Sequence, residues 1–291
     1  MKAAAELDYR VNHVARALNK QRSDLVGIIA SGMENPYRAS QVDAFAKELV
    51  SRGLRPMLFC IDAGDDTEQL IAILLDYSVS GVIVTSERPP ESICEECLRR
   101  NIPLVVIDRG DDHAKADQVA CDNEQGGKLA ADTLLDSGCT DLFFLRPKTI
   151  VYAISRRLDG FTAAAMARNV AAFPVPIEAY DYASGRDVAG EVSRLSTVRS
   201  GVFCPNDLVA IGLLDALRGR YRRDVPAEVS LIGYDDIPQA AWDFVNLTTI
   251  RQSVQEIVSE TVDLLQARID APDMPSRKVR LPVQLIRRGT T

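Results

Sequence analysis

The sequence predicts an α/β protein built from two doubly wound parallel-sheet subdomains that are joined by short crossovers. Short β-branched runs alternate with amphipathic segments of helix length, and these runs are apolar almost throughout, as is typical of parallel strands covered on both faces. The alternation starts again after about residue 122, and 291 residues are more than one compact core usually holds. Two lobes therefore follow one another along the chain.

The first lobe is predicted to contain four strands separated by three helices. The strands are expected at residues 25–30, 55–61, 81–85 and 103–108, and the helices at residues 36–52, 67–77 and 90–100. Gly53 supplies the terminating residue after the first of these helices.

The second lobe continues the same alternation. Its helices are expected at residues 123–137, 155–169, 185–196 and 206–219, and its strands at residues 141–145, 177–182, 201–204 and 229–234. A further helix at 252–267 and a further strand at 278–286 close the chain. We therefore predict a separate segment at 1–22, a first lobe of 23–121 plus 252–275, and a second lobe of 122–251 plus 276–291.

Composition and charge exclude several classes of protein. The hydrophobic (46%) and charged (26%) fractions are those of a globular chain, and no apolar run reaches the roughly 20 residues that span a bilayer. Charges at the start of the chain leave no apolar core for a secretion signal. The six cysteines are scattered, which favours reduced thiols and a cytoplasmic location over a disulfide framework.

The net charge of −7 is distributed unevenly. Residues 1–22 carry five basic and two acidic side chains, a net charge of +3, which leaves −10 on the remainder. A short basic arm on an acidic body is typical of a tail that touches nucleic acid. An acidic body, in contrast, is a poor surface for coating nucleic acid.

Carboxylates follow predicted strands in both lobes. Asp235 and Asp236 end the strand at 229–234, and Asp108 ends the strand at 103–108. Because ligands bind at the carboxyl ends of strands in α/β folds, these side chains are expected to face a ligand crevice. Adjacent acids without a phosphate-binding loop favour a site that reads hydroxyl groups, so the sequence predicts small-molecule sensing.

Nine short motifs, in order and at consistent spacing, carry a resemblance to a known family. They are YRVN at 9–12, VARAL at 14–18, VGII at 26–29, ENPY at 34–37, IDR at 107–109, RLDGF at 157–161, ND at 206–207, GYDD at 233–236 and LTTIRQ at 247–252. On these residues the chain resembles LacI/GalR-type transcriptional regulators over nearly its whole length. The resemblance implies the periplasmic binding protein-like I fold, a small-molecule effector, a homodimer, and operator DNA as partner of the full-length protein.

The resemblance also implies a helix-turn-helix DNA-binding headpiece, of which this sequence matches only the end, at residues 2–9, followed by a hinge at residues 12–19. Asn12, Ala15, Arg16 and Leu18 are then the hinge residues at the DNA. Leu18 matches the leucine that wedges into the minor groove and bends the duplex. The alternative interpretation is that Leu18 is an ordinary apolar residue of a frayed terminus.

Six side chains are the candidate effector ligands that the resemblance implies. They are Tyr37, Asp108, Arg157, Tyr182, Asn206 and Asp235. The carboxylates suit vicinal hydroxyls, the arginine supplies fixed donors, and the tyrosines could stack on a ring. All except Asp235 have an ordinary structural alternative: a turn or N-cap for Asp108, a surface helix position for Arg157, a helix cap for Asn206 and core packing for the tyrosines.

The effector is expected to be a sugar or sugar acid, with a purine as the alternative if Tyr37 stacks on it. No metal or cofactor is expected, since the CxxC at 94–97 lies on a predicted helix without a second ligand pair. The segment 126–128 lacks the other residues of a phosphate loop, and neither histidine has a nucleophile nearby in sequence. An enzyme is therefore disfavoured, and a solute-binding protein of a transport system is the main rival to a regulator.

Overall fold

The computed structural model describes residues 23–61, 67–85, 91–109, 116–196 and 199–291 of the chain. The strands in chain order are β1 Leu25–Ala30, β2 Arg55–Cys60, β3 Gly81–Val84, β4 Leu104–Ile107, β5 Asp117–Cys121, β6 Asp141–Pro147, β7 Ala172–Ile177, β8 Ser200–Phe203, β9 Val229–Asp235, β10 Thr248–Gln252, β11 Lys278–Leu281 and β12 Val283–Ile286. The helices are α1 Pro36–Ser51, α2 Thr67–Asp76, α3 Glu91–Arg99, α4 Asn123–Asp136, α5 Tyr152–Ala167, α6 Tyr182–Leu195, α7 Asp207–Gly219 and α8 Val254–Asp270. A short 3₁₀ helix, Pro238–Ala241, follows β9.

Two six-stranded sheets organise these elements into two lobes. The first sheet has the order β11-β5-β4-β3-β1-β2 and the second has the order β12-β10-β9-β8-β6-β7. Every pairing is parallel except that of β10 with β12, which is antiparallel. The predicted fold class is confirmed.

Three strand assignments differ from the predictions. The strand expected at 177–182 lies instead at Ala172–Ile177, where Pro174 and Pro176 weakened the strand pattern. Prolines are tolerated there because β7 is an edge strand of its sheet. The prediction also missed β5 and β10, whose polar side chains interrupt the apolar pattern.

The last predicted strand, 278–286, is two strands that belong to different sheets. Pro282 separates them, and its missing N–H cannot continue a strand ladder. Because β11 pairs with β5, residues 276–281 belong to the first lobe, and the predicted boundary at 276 is wrong. Helix α8 packs against α1 and the first sheet, as the prediction placed it.

The chain therefore passes between the lobes three times, each time through a single residue: Asp122, Ser253 and Pro282. The first crossover joins β5 to α4, the second joins β10 to α8, and the third joins β11 to β12. The first and third are tied together, because the N–H of Asp122 donates to the carbonyl of Leu281 at 2.8 Å. Such short parallel connections are suited to hinge motion of one lobe against the other.

Helices α4 and α5 approach each other unusually closely at two glycines. A Cβ on Gly127 would lie 1.9 Å from the carbonyl oxygen of Arg157, and one on Gly160 would lie 1.9 Å from that of Glu124. No side chain fits at either position without separating the helices. This contact places Arg157 beside the first turn of α4.

The described residues give two further facts about the chain as a whole. None of the helices in these ranges is both long enough and apolar enough to cross a bilayer. The six cysteines are free thiols, and all except Cys60 are buried. Burial raises the pKa of the Cys97 thiol to about 12, which keeps that group protonated and unreactive.

Gly127→Ala should destabilise the protein by at least about 2 kcal/mol, because the added methyl group forces α4 and α5 apart. Urea unfolding followed by circular dichroism measures this. Gly219→Ala is the matched control: it lies in helix α7, and its added methyl group would meet no neighbouring heavy atom within 4 Å, so its effect should stay within about 1 kcal/mol. Equal effects of the two substitutions would contradict the proposed steric limit.

Candidate functional site

A polar cavity lies between the two lobes, at the carboxyl ends of their strands. Five of the six predicted ligand residues line it: Tyr37 and Asp108 from the first lobe, and Arg157, Asn206 and Asp235 from the second. Asn35, Arg38, Tyr180 and Gln252 complete its polar lining, and Ile107, Val151, Ala153, Ile154 and Pro205 add apolar surface. Two sequence-distant halves thus contribute to one cavity.

Asp108 follows β4 directly and has a left-handed backbone, with φ of 51°. Its Oδ1 accepts the N–H of Cys121 at 3.1 Å and the side-chain amide of Asn123 at 3.2 Å. Burial raises the pKa of this carboxyl, although Arg157 and these hydrogen bonds act in the opposite direction. Asp108 is therefore a partly buried acid held in a strained conformation at the cavity wall.

Arg157 is almost fully buried and is held from three sides. Its Nε donates to Oδ1 of Asn123 at 2.8 Å, and its Nη1 donates to the carbonyl of Pro205 at 2.7 Å. The guanidinium carbon lies 3.5 Å from the ring centroid of Tyr234, a close cation–π contact. A guanidinium held in this way presents its donors to the cavity in one fixed orientation.

Asp235 ends β9 with a positive φ of 111°, which turns its carboxylate into the cavity wall. Its Oδ1 accepts from Nε2 of Gln252 at 2.8 Å. Within the described residues, the hydroxyl of Tyr37 and Oε1 of Gln252 are buried without a hydrogen-bond partner. Buried polar atoms are nearly always paired, so unpaired ones beside a cavity favour a polar ligand there.

Asn206 and Asp207 have different surroundings, and only Asn206 borders the cavity. Asn206 is the N-cap of α7, accepting the N–H of Val209 at 2.9 Å while its amide donates to the carbonyl of Tyr180 at 2.8 Å. Asp207 is fully buried, and its two oxygens accept from the Thr249 hydroxyl at 2.6 Å and the Ile237 N–H at 2.8 Å. Asp207 is a structural group, whereas Asn206 both caps the helix and borders the cavity.

Tyr182 is not brought to the cavity. It is the first residue of α6, is partly exposed, and donates its hydroxyl to Asp215 at 2.7 Å. Because β7 ends at Ile177 rather than 182, the chain reaches the cavity at Tyr180, and Tyr182 already belongs to the helix. The second-lobe tyrosine that lines the cavity, beside Tyr37 of the first lobe, is thus Tyr180.

Five polar residues at or beside the cavity were not predicted from the sequence: Asn35, Arg38, Asn123, Tyr180 and Gln252. Asn123 and Gln252 lie at the first and second crossovers, and Tyr180 lies in the loop after β7. Gln252 closes one of the motifs that carry the family resemblance, so the motif itself could have indicated it. Asn123 follows Asp122 at the start of α4. Asparagine is common at helix N-termini because it caps the helix, so its position in the sequence did not indicate a role at the cavity.

The other predicted residues have structural partners or lie outside the described ranges. Asp236 pairs with Nε of Arg251 and Nη2 of Arg288, both at 2.6 Å, and so ties the end of the chain to the second lobe. The hinge residues Asn12, Ala15, Arg16 and Leu18 lie outside the described residues. Among described residues, no group of three or more His, Cys, Asp or Glu side chains could hold a metal ion.

Comparison with known proteins identifies the family. The family described as periplasmic binding protein-like domain matches residues 131–291, which is more than half of the chain. The chain belongs to the periplasmic binding protein-like domain family. Its two lobes with a cavity between their strand ends are the architecture that the family name implies.

Named relatives of this family member are regulators rather than enzymes. The HTH-type transcriptional repressor PurR of Vibrio parahaemolyticus is 28% identical over 300 residues, covering 100% of this chain and 88% of that protein. The ribose operon repressor of Bacillus subtilis is 28% identical over 293 residues, covering 99% of this chain and 87% of that protein.

A solved structure shows the same likeness. A LacI family transcriptional regulator from Enterococcus faecium, with bound ribose, matches with a TM-score of 0.83 at 25% identity. The match covers 92% of this chain and 98% of that chain. The resemblance to LacI/GalR regulators that the sequence motifs predicted is thereby confirmed.

Asp207→Asn should change how stability depends on pH. Burial raises the pKa of Asp207 well above its ordinary value, and the nearby Asp235 adds to this rise. The folded protein then binds that proton more tightly than the unfolded chain, so this group's stabilising contribution is present at low pH and is lost as pH rises through its folded pKa. Relative to the variant, the wild type should gain stability as pH is lowered toward the ordinary pKa of an aspartate, about 4.

Urea unfolding of both proteins at several pH values measures this difference. The variant should fold, because the Thr249 hydroxyl can accept from the new amide while the Ile237 N–H keeps its acceptor. A stability difference that stays constant as pH is lowered would refute the assignment of Asp207 as a buried, proton-binding carboxyl.

Proposed function

We propose that this chain is the effector-sensing core of a bacterial transcriptional repressor. The observation that supports this most directly is the inter-lobe cavity, which joins Asp108 and Tyr37 of one lobe to Arg157 and Asp235 of the other. Relatives named as repressors extend over nearly all of the chain, which favours a regulator over a solute-binding protein. The protein would then act in the cytoplasm, on operator DNA, and without catalysing a reaction.

The chemistry of the cavity favours a sugar or sugar acid as effector. Two carboxylates can each accept from neighbouring hydroxyls, while Arg157 and Arg38 supply donors on the same cavity. Tyr37 and Tyr180 offer aromatic faces to the C–H surface of a sugar ring. A purine is the alternative, since the same carboxylates can accept from ring N–H groups and a tyrosine can stack on the base.

The effector would act by changing the arrangement of the lobes. A ligand can shift this equilibrium only through different contacts in the two arrangements. Ligand groups that touch Asp108 and Asp235 together do so only at one separation of the lobes. The three short crossovers then convert that separation into the angle between the lobes.

A thermal-shift screen should reveal the effector class. The panel contains D-ribose, cellobiose, D-gluconate, D-glucose 6-phosphate, adenine and guanine. A compound at about a hundredfold over its dissociation constant adds roughly 2.7 kcal/mol of stability, a clear rise in Tm. No shift with any of these compounds would overturn the assignment of this cavity to sugars and purines.

Asp235→Asn should weaken binding of the panel compound that raises Tm by roughly tenfold to a hundredfold, as measured by calorimetry. The substitution removes a charge-assisted hydrogen bond to the ligand, and asparagine tolerates the positive φ found here. Asp243→Asn is the matched control, because Asp243 is an exposed acid of the following loop. Unchanged affinity of the Asp235 variant would show that the ligand binds elsewhere.

We further propose that the protein is a two-fold dimer that uses an aromatic pair of the second lobe. Trp242 and Phe244 are 50% and 75% exposed, and their rings lie 5.8 Å apart. Large exposed aromatic side chains side by side are typical of a surface that another protein covers. A two-fold arrangement would also match the symmetry of a palindromic operator.

Phe244→Asp should convert the dimer to a monomer in sedimentation equilibrium, because it places a charge in an apolar contact. Met166→Asp is the matched control: Met166 is 67% exposed on α5, and its replacement should leave the mass unchanged. A monomeric wild-type protein, or a Phe244 variant that remains dimeric, would refute this interface.

A further inference from the structure

The side-chain amide of Asn123 makes four hydrogen bonds at the lobe boundary. Its Nδ2 donates to Oδ1 of Asp108 and to the carbonyl of Cys121, both at 3.2 Å. Its Oδ1 accepts from Nε of Arg157 at 2.8 Å and from the hydroxyl of Tyr234 at 3.3 Å. All four hydrogen-bonding positions of the amide are thus used, and only 3% of the residue is exposed.

These four partners divide by lobe. The two acceptors belong to the first lobe, because Asp108 follows β4 and Cys121 ends β5. The two donors belong to the second lobe, because Arg157 lies on α5 and Tyr234 on β9. The amide therefore faces one lobe with its NH₂ group and the other lobe with its oxygen, at the first crossover.

The second-lobe side of this amide is fixed by steric contacts. A Cβ on Gly126 would lie 2.6 Å from the Tyr234 hydroxyl, so only glycine admits that ring against α4. At Gly127 the backbone of Arg157 comes closer still, since an added Cβ would lie 1.9 Å from its carbonyl oxygen, and the guanidinium of Arg157 covers the Tyr234 ring. Asn123, Arg157 and Tyr234 consequently form one rigid unit of the second lobe.

Helix capping does not explain this residue. Asp122 is the N-cap of α4, and its carboxylate accepts the N–H of Gln125 at 3.0 Å. The side chain of Asn123 bonds to no N–H group of its own helix in the contacts described above. The Asn123 side chain instead connects the rigid unit to Asp108 through a hydrogen bond. The short crossover by itself does not orient the Asp108 side chain.

We propose that Asn123 is a positioning residue that sets the spacing between Asp108 and Arg157, the cavity groups contributed by opposite lobes. This inference rests on the proposed effector site. Its amide oxygen orients Arg157, and its NH₂ group draws the Asp108 carboxylate toward the same point. A change of lobe angle at the first crossover must stretch or break the Asn123–Asp108 hydrogen bond, so this contact reports the lobe arrangement to the ligand site.

Asn123→Asp is the test variant, because it keeps the acceptor for Arg157 and Tyr234 while replacing the donor to Asp108. Two carboxylates would then face each other at the 3.2 Å contact, and their repulsion should displace Asp108. We expect at least tenfold weaker binding of D-ribose in calorimetry. Gln125→Ala, on an exposed position of the same helix, is the matched control and should bind normally.

Asp108→Asn provides the complementary background. In that background the amide at position 108 can donate to the carboxylate that Asn123→Asp introduces, so the repulsion is replaced by a hydrogen bond. The Asn123→Asp step should therefore cost less than about threefold in affinity there, against at least tenfold in the wild-type background. A merely structural role predicts equal costs in both backgrounds, and equal costs would overturn the proposal.

A ligand-free measurement separates this inference from the proposed function. The Cys121 N–H donates to Asp108, so Asn123→Asp should speed its hydrogen exchange at least tenfold in the wild-type background and much less with Asp108→Asn. If D-ribose fails to bind the wild type, the choice of effector is wrong, and this exchange pattern still decides the role of Asn123. If neither substitution changes the hydrogen-exchange rate of the Cys121 backbone amide, that role is refuted.

Discussion

The arrangement of the cavity depends on the absence of side chains at Gly127 and Gly160. Backbone atoms of α4 and α5 meet where these two residues lie, and any larger residue would separate the helices. Their contact brings Arg157 over Tyr234 and within reach of Asn123, although the two helices enclose a complete β-strand between them in sequence. The steric contact between two glycines, which take no part in ligand binding, thus fixes the position of Arg157, the buried arginine of the described cavity.

Buried charge is the second feature that shapes this region, and its cost is reduced in different ways at different positions. Asp108 receives two hydrogen bonds from the neighbouring crossover and the field of Arg157, whereas Asp207 receives a hydroxyl and a backbone N–H but lies near a second acid, Asp235. Asp108 lies on the cavity wall, where its carboxyl group is placed to contact ligand hydroxyls. Asp207 instead joins α7 to β10 and to the segment after β9, through the Thr249 hydroxyl and the Ile237 N–H.

Periodicity and motif order predicted the two doubly wound sheets and five of the cavity residues, because parallel strands and their carboxyl ends leave a local pattern. The failures have non-local causes. Strand β5 begins with buried Asp117, an unlikely strand residue until Arg268 of α8 pairs with it at 2.9 Å across 151 positions. Two prolines obscure β7, so the strand was predicted at 177–182 and Tyr182 was expected at the cavity. The four hydrogen bonds of Asn123 join groups up to 111 positions apart.

The two unpaired buried atoms of the cavity suggest how binding and lobe closure are linked. The hydroxyl of Tyr37 belongs to α1 of the first lobe, yet its ring packs within the core of the second. Oε1 of Gln252 lies at the second crossover, and the same side chain bonds to Asp235. An unpaired buried polar atom is costly in free energy, so a polar ligand that pairs with both atoms would stabilise this arrangement of the lobes. Such a ligand would bind this arrangement more tightly than one in which the two atoms are apart, which is the differential affinity that a sensor requires.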